Sequence, residues 1–159
     1  KARIVGGDID EKWRVSVDKL LSKSAYEWEI PDDLHLKIAH LRGRKEEELS
    51  GETFEQKNLK EGKGGLLDIE FLTQYLQLKF VRRFPKLRTT ETLKALAVIG
   101  KEELISQDDV IVLQKAYRWI RQIETALRLL FDQSVNTLNL NKAQTLHLET
   151  LLRLSLIHI

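Results

Sequence analysis

Residues 58–71, Asn58-Leu59-Lys60-Glu61-Gly62-Lys63-Gly64-Gly65-Leu66-Leu67-Asp68-Ile69-Glu70-Phe71, place three glycines and two lysines directly ahead of a strongly apolar run. The chemistry this permits is anion binding. Glycines let a ligand approach the backbone closely, and the first N–H groups of a helix lack intrahelical partners and lie at the positive end of its dipole. Lys60 and Lys63 add charge, so Lys60, Gly62, Lys63, Gly64 and Gly65 are the candidate anion-binding residues. The competing reading is a flexible loop that only caps a helix. Neither a Walker loop nor a dinucleotide fingerprint fits: no Lys-Ser/Thr stands at the required spacing, and no predicted strand precedes the glycines.

At about 100° per residue, Glu70, Thr73, Gln74 and Gln77 share one narrow polar face of the following helix, and Asp68 falls inside the apolar arc. A carboxylate there needs a partner, because burying an unpaired charge is costly. The expected partners are first-turn N–H groups or an arginine of the preceding helix, Arg42 or Arg44, in a pair that holds the loop in shape. This predicts a buried, paired Asp68 and a more exposed Glu70. His35, His40, His147 and His158 lack metal-ligand spacing, and no Ser/His/Asp arrangement is arguable. No catalytic residue and no metal site are assigned.

The elements that must position these residues are helical. Periodic apolar positions and end signals predict helices over residues 9–24, 32–49, 66–84 and 90–99, a long one from an N-cap at Ser106, and a last one from near Asn141. Pro85 should stop the third and Gly100 the fourth. Trp13, Trp28 and Trp119 are expected to anchor the core. No strand-like alternation of useful length occurs, so the predicted fold is all-α: a bundle of about five to six helices with one glycine-rich loop.

The chain has 159 residues, 42% hydrophobic and 31% charged, and a net charge of +2 from 26 basic and 24 acidic side chains. That balance argues against a protein held on nucleic acid by bulk electrostatics. With no Cys there is no disulfide framework or thiolate metal site, which fits a cytoplasmic protein. No apolar run approaches bilayer length, so no membrane partner is expected. The chain begins at Lys1, lacks Met and ends in an apolar stretch. It therefore reads as a piece of a longer protein: a short lead-in over residues 1–8, a helical domain over 9–154, and a truncated or cloning-derived tail over 155–159.

The loop and its helix also resemble a known family. Asn58-Leu59-Lys60, Gly62, Gly64-Gly65-Leu66, Asp68-Ile69-Glu70-Phe71 and Gln74-Tyr75-Leu76-Gln77-Leu78 are similar to the signature of glutamine synthetase adenylyltransferases, which also act as adenylyl-removing enzymes. The likeness extends to Lys1-Ala2-Arg3 with Gly7-Asp8, and to Leu41-Arg42-Gly43-Arg44 with Glu47, where Lys45 replaces an expected apolar residue. It continues in Thr92-Leu93 with Ala95-Leu96, in Ala116-Tyr117-Arg118-Trp119-Ile120-Arg121 with Glu124, and in Gln133 with Asn136-Thr137-Leu138.

The resemblance implies the helical region that follows a nucleotidyltransferase domain, with residues 1–8 as the exit from that absent domain and Lys60, Gly62, Lys63, Gly64 and Gly65 as nucleotide- or target-binding residues. The whole enzyme would use ATP and Mg²⁺ to transfer AMP to a tyrosine of glutamine synthetase, or would remove it, with glutamine synthetase and the PII signal protein as partners. Such chemistry needs carboxylate-held Mg²⁺. The family's Asp-x-Asp pair is absent: Asp8-Ile9-Asp10 after Gly6-Gly7 mimics its letters, but a predicted helix follows in place of strands. This chain alone is thus expected to be inactive. The alternatives are the helical domain of a PII uridylyltransferase, or a non-catalytic module that docks glutamine synthetase or PII.

Overall fold

The computed structural model describes residues 10–131 and 136–139, and it is mainly helical. Five helices run in order: α1 (Glu11–Tyr26), α2 (Leu34–Leu49), α3 (Leu66–Phe80), α4 (Thr92–Lys101) and α5 (Gln107–Phe131). The sixth predicted helix lies outside the described residues, as do residues 1–8 and 155–159. One feature was not expected. Strands β1 (Gln56–Asn58) and β2 (Thr137–Asn139) pair antiparallel, with Asn58 opposite Thr137 and Gln56 opposite Asn139. Three residues per strand are too few to leave a readable alternation.

The helix ends follow local chemistry. Asp10 caps α1 by accepting from the Lys12 N–H at 3.2 Å. Ser106 opens α5: its Oγ accepts from the Asp109 N–H at 3.1 Å and donates to that residue's carboxylate at 2.6 Å. Helix α3 stops at Phe80, before the expected 84. Phe84 precedes a proline and is held off helical geometry, and Pro85 begins a single 3-10 turn, Pro85–Leu87. Gly100 does not close its helix. It lies inside α4, where an added Cβ would stand 3.1 Å from a Val110 methyl, so it sets how closely α4 and α5 pack. The closing residue is Glu103 at φ 53°, with Leu104 N–H on the Ile99 carbonyl and Glu103 N–H on Gly100.

The main core joins α3, α4, the start of α5 and the 3-10 turn through Ile69, Leu76, Val81, Leu87, Leu96, Ile99 and Val110. A smaller cluster, Ile123, Ala126 and Leu127, packs against Leu59 and Leu138, tying the far half of α5 to the ribbon. The tryptophans do not anchor either cluster: Trp13, Trp28 and Trp119 are 54%, 42% and 50% exposed. Helix α1 buries none of its residues and is attached by Tyr26 against the main core and by hydrogen bonds from Arg82 to the Trp28 carbonyl and from Arg88 to Ser22.

The faces of α3 differ from expectation. Thr73 and Gln77, predicted on the polar outer face, are buried, while Leu72 is exposed. The helix is apolar nearly all round, so its polar stripe carries little information about direction. The inward polar groups are satisfied: Thr73 Oγ1 donates to the Ile69 carbonyl at 2.7 Å, and Gln77 Nε2 donates to the carbonyls of Leu87 and Thr89 at 2.7 and 2.8 Å. Gln77 therefore fastens the turn after Pro85 to α3. Replacing Gln77 by Ala should cost about 2–3 kcal/mol in urea unfolding, since the buried Leu87 carbonyl loses one of its two donors and the half-buried Thr89 carbonyl loses the Gln77 amide, whereas Leu72→Ala should stay near 0.5 kcal/mol. Equal effects would return the polar stripe to solvent.

Candidate functional site

The glycine loop is closed on itself. Gly62 N–H donates to the Asn58 carbonyl, Gly65 N–H to Gly62, Leu66 N–H to Leu59 at 2.9 Å, Leu67 N–H to Lys60 at 3.1 Å and Asp68 N–H to Gly65 at 3.2 Å. Gly64 N–H donates to Asp68 Oδ2 at 2.7 Å. The donors expected to face a ligand are thus occupied by the loop's own carbonyls and one carboxylate. The glycines serve this closure. A Cβ on Gly62 would lie 2.5 Å from the Asn58 carbonyl oxygen, one on Gly65 2.9 Å from those of Gly62 and Lys60, and Gly64 takes φ 71°. The backbone that approaches closely is the loop's own.

Two side chains hold the closed form. Asn58 is buried; its Oδ1 accepts from the N–H groups of Lys60 and Glu61, and its Nδ2 donates to the carbonyls of Leu49 and Ser50 at the end of α2. Arg42 is also buried. Its Nε and Nη2 donate to the two oxygens of Asp68 at 2.5 and 3.1 Å, and Nη2 reaches the Gly62 carbonyl at 2.8 Å. Arg44 is not part of this support: it points to solvent and donates to Glu48 on its own helix. Two positions along the helix turn it about 160° from Arg42's face.

The burial order of the two carboxylates is reversed from expectation. The Asp68 side chain is 39% exposed and that of Glu70 24%. Asp68 sits at the loop's edge, whereas Glu70 faces α5. Of the lysines, Lys63 is exposed with Glu46 at 3.7 Å, and Lys60 lies 3.3 Å from Glu61.

The polar cluster that sequence reasoning missed lies between α3 and α5. Glu70 Oε1 accepts from Tyr117 Oη at 3.2 Å and from Arg121 Nη2 at 3.1 Å. Arg121 Nη1 donates to Glu124 Oε2 at 2.7 Å, and Arg128 Nη2 to Glu124 Oε1 at 2.8 Å. Glu124 is buried, yet both its oxygens hold guanidiniums that are themselves about half exposed. Partial burial alone would lower the Arg121 pKa; its hydrogen bonds to Tyr117 and Glu124 prevail and leave it raised, so the charge is fixed. A signal was available: Tyr117, Arg121, Glu124 and Arg128 recur at intervals of 4, 3 and 4 along the inward face of α5.

Two cavities open on this cluster. One, of about 450 Å³, is lined by Glu70, Thr92, Leu93, Tyr117 and Arg121 among others; a smaller one, of about 150 Å³, by Lys60, Leu66, Arg121, Glu124, Arg128 and Asn136. Glu70 and Arg121 belong to both. Among the described residues no group of three or more His, Asp or Glu side chains is placed to hold a metal ion, and no helix is long and apolar enough to cross a membrane. Asp10 is engaged as the α1 cap.

A family model described as GlnD PII-uridylyltransferase matches residues 32–154. The chain is also 29% identical, over 143 residues, to a bifunctional glutamine synthetase adenylyltransferase/adenylyl-removing enzyme of Bradyrhizobium sp. (strain BTAi1). That match covers 87% of this chain and 14% of the relative's length. Loop support is tested by stability. Arg42→Ala should cost about 3 kcal/mol, at the low end for a buried pair because Asp68 is partly open, while Arg44→Ala should stay within about 0.5 kcal/mol in denaturant unfolding. A neutral Arg42→Ala would remove Arg42 from the loop's support.

Proposed function

The chain belongs to the GlnD PII-uridylyltransferase family, and on that premise we propose that it is a helical domain of a cytoplasmic enzyme that transfers AMP from ATP to a tyrosine of glutamine synthetase, or removes it. In this reading the domain supports the nucleotide or target site, and the Mg²⁺-binding aspartates belong to a separate nucleotidyltransferase domain. PII is the expected regulatory partner. The coarser statement, a helical domain related to nucleotidyltransferases, follows from the matches already given.

One observation carries the finer reading. Segments on which the resemblance rests lie far apart in sequence and converge on one cleft. Lys60 comes from the loop, Glu70 from the α3 motif, Thr92 and Leu93 from the start of α4, Tyr117, Arg121 and Glu124 from α5, and Asn136 from the ribbon. A helix interface that served stability alone would need no buried carboxylate between two arginines, since apolar groups of similar volume are often as stable there. A cleft with such charge is where a site is expected. The family description favours a second reading, a domain of a PII uridylyltransferase, in which UTP and PII replace ATP and glutamine synthetase.

Incubating this chain alone with labelled ATP, Mg²⁺ and glutamine synthetase should leave the synthetase unlabelled. In the whole enzyme, Arg121→Ala should lower adenylyl transfer by at least about tenfold through misplacement of the bound groups, and Lys37→Gln, in an exposed pair with Asp33, should not. Labelling by the chain alone would overturn the domain assignment, and full transfer by Arg121→Ala would overturn the role of the cleft. Labelling of PII from UTP in place of the synthetase would establish the second reading.

A further inference from the structure

We infer that Lys60, Arg121 and Arg128 form a clamp for the phosphate chain of a nucleoside polyphosphate, seated in the smaller cavity, with the nucleoside in the larger one. The choice of a nucleoside rests on the function proposed above; the anion clamp rests on the geometry alone.

The buried Glu124 carboxylate fixes both guanidiniums on one wall, at 2.7 and 2.8 Å. Each guanidinium carries five N–H donors. Glu124 takes one from each, and Arg121 directs a second nitrogen to Glu70 and Tyr117. Arg128 is 53% exposed and Arg121 44%, so donors of both remain open to the cavity. A planar fork held in place matches phosphate oxygens two at a time, which a lone ammonium does not. Lys60 lines the same cavity on a flexible stem, 3.3 Å from Glu61, and adds a mobile third charge.

Size and lining separate the two cavities. About 150 Å³ suits small oxyanions and not a ring system, whereas the adjoining space of about 450 Å³ offers the Tyr117 ring and the Leu93 side chain. Glu70 stands between them. A carboxylate in that position suits ribose hydroxyls, which it can accept as hydrogen-bond donors. The glycine loop contributes the position of Lys60 and not its N–H groups, which are already taken.

The test is calorimetric titration of the chain with sodium tripolyphosphate and, separately, with ATP at low salt. Arg128→Gln and Lys60→Gln should each weaken both ligands by about tenfold, as expected for one charged hydrogen bond, and Lys37→Gln should change neither by more than about twofold. Lys60→Gln guards against misfolding, because among the described residues that ammonium's ion pair is with Glu61, its neighbour in sequence, and it is about half exposed. ATP should bind more tightly than tripolyphosphate; equal affinities would reject the nucleoside in the larger cavity and assign the clamp to free polyphosphate. Absence of binding at millimolar ligand, or affinities unchanged by both substitutions, would overturn the clamp. If that result came with an Arg121-dependent adenylyl transfer in the whole enzyme, the clamp would fail and the proposed function would stand.

Discussion

Arg42, buried on α2, donates to both oxygens of Asp68 and to the carbonyl of Gly62, and so joins the end of the glycine loop to the first turn of α3. The loop's side of the cleft is positioned through that closure. The loop carbonyls of Leu59 and Lys60 receive the N–H groups of Leu66 and Leu67, which fixes Lys60 beside the start of α3. Leu59 N–H in turn donates to Asn136 at 2.8 Å, which brings the ribbon and its Asn136 to the same side. With the loop open, Lys60 and Asn136 would have no fixed relation to Glu70 or to the arginines of α5.

The same closure explains the division of roles. A helix N-terminus attracts anions only while its N–H groups are free, and here those of Leu66, Leu67 and Asp68 have acceptors within the loop. The glycines that looked suited to a ligand instead permit contacts between strands of the loop itself, and the positive charge has moved to side chains. Arg121 and Arg128 are set by a carboxylate that is almost wholly buried. Removing a charged pair from water is costly, and the energy is offset by one charge-assisted bond to each oxygen of Glu124.

The sequence made the helical fold legible because long periodic segments dominate it: α5, with Leu113, Ala116, Tyr117, Ile120, Ile123 and Leu127 in register, leaves little choice. The Asp68–Arg42 contact was within reach of the helical wheel, but choosing Arg42 over Arg44 was not, since the two lie on nearly opposite faces of α2 and the choice depends on which face is turned to α3. The inward direction of Thr73 and Gln77 was hidden by the uniform apolarity of their helix, and it depends on carbonyls of Leu87 and Thr89 that no local pattern announces. The cleft was illegible for a related reason. Its members come from five separate segments, and Glu124 reads as one more polar residue on a charged helix until α3 is packed against it.

Amide hydrogen exchange at Gly64, Leu66 and Leu67 addresses the closed loop most directly. These three N–H groups have acceptors in Asp68, Leu59 and Lys60 respectively, so they should exchange far more slowly than in an unstructured peptide, and all three should speed up together in Arg42→Ala while amides in the middle of α5 keep their protection. Exchange at free-peptide rates in the unaltered chain, or protection that survives in Arg42→Ala, would contradict a loop closed by its own backbone and held by Arg42.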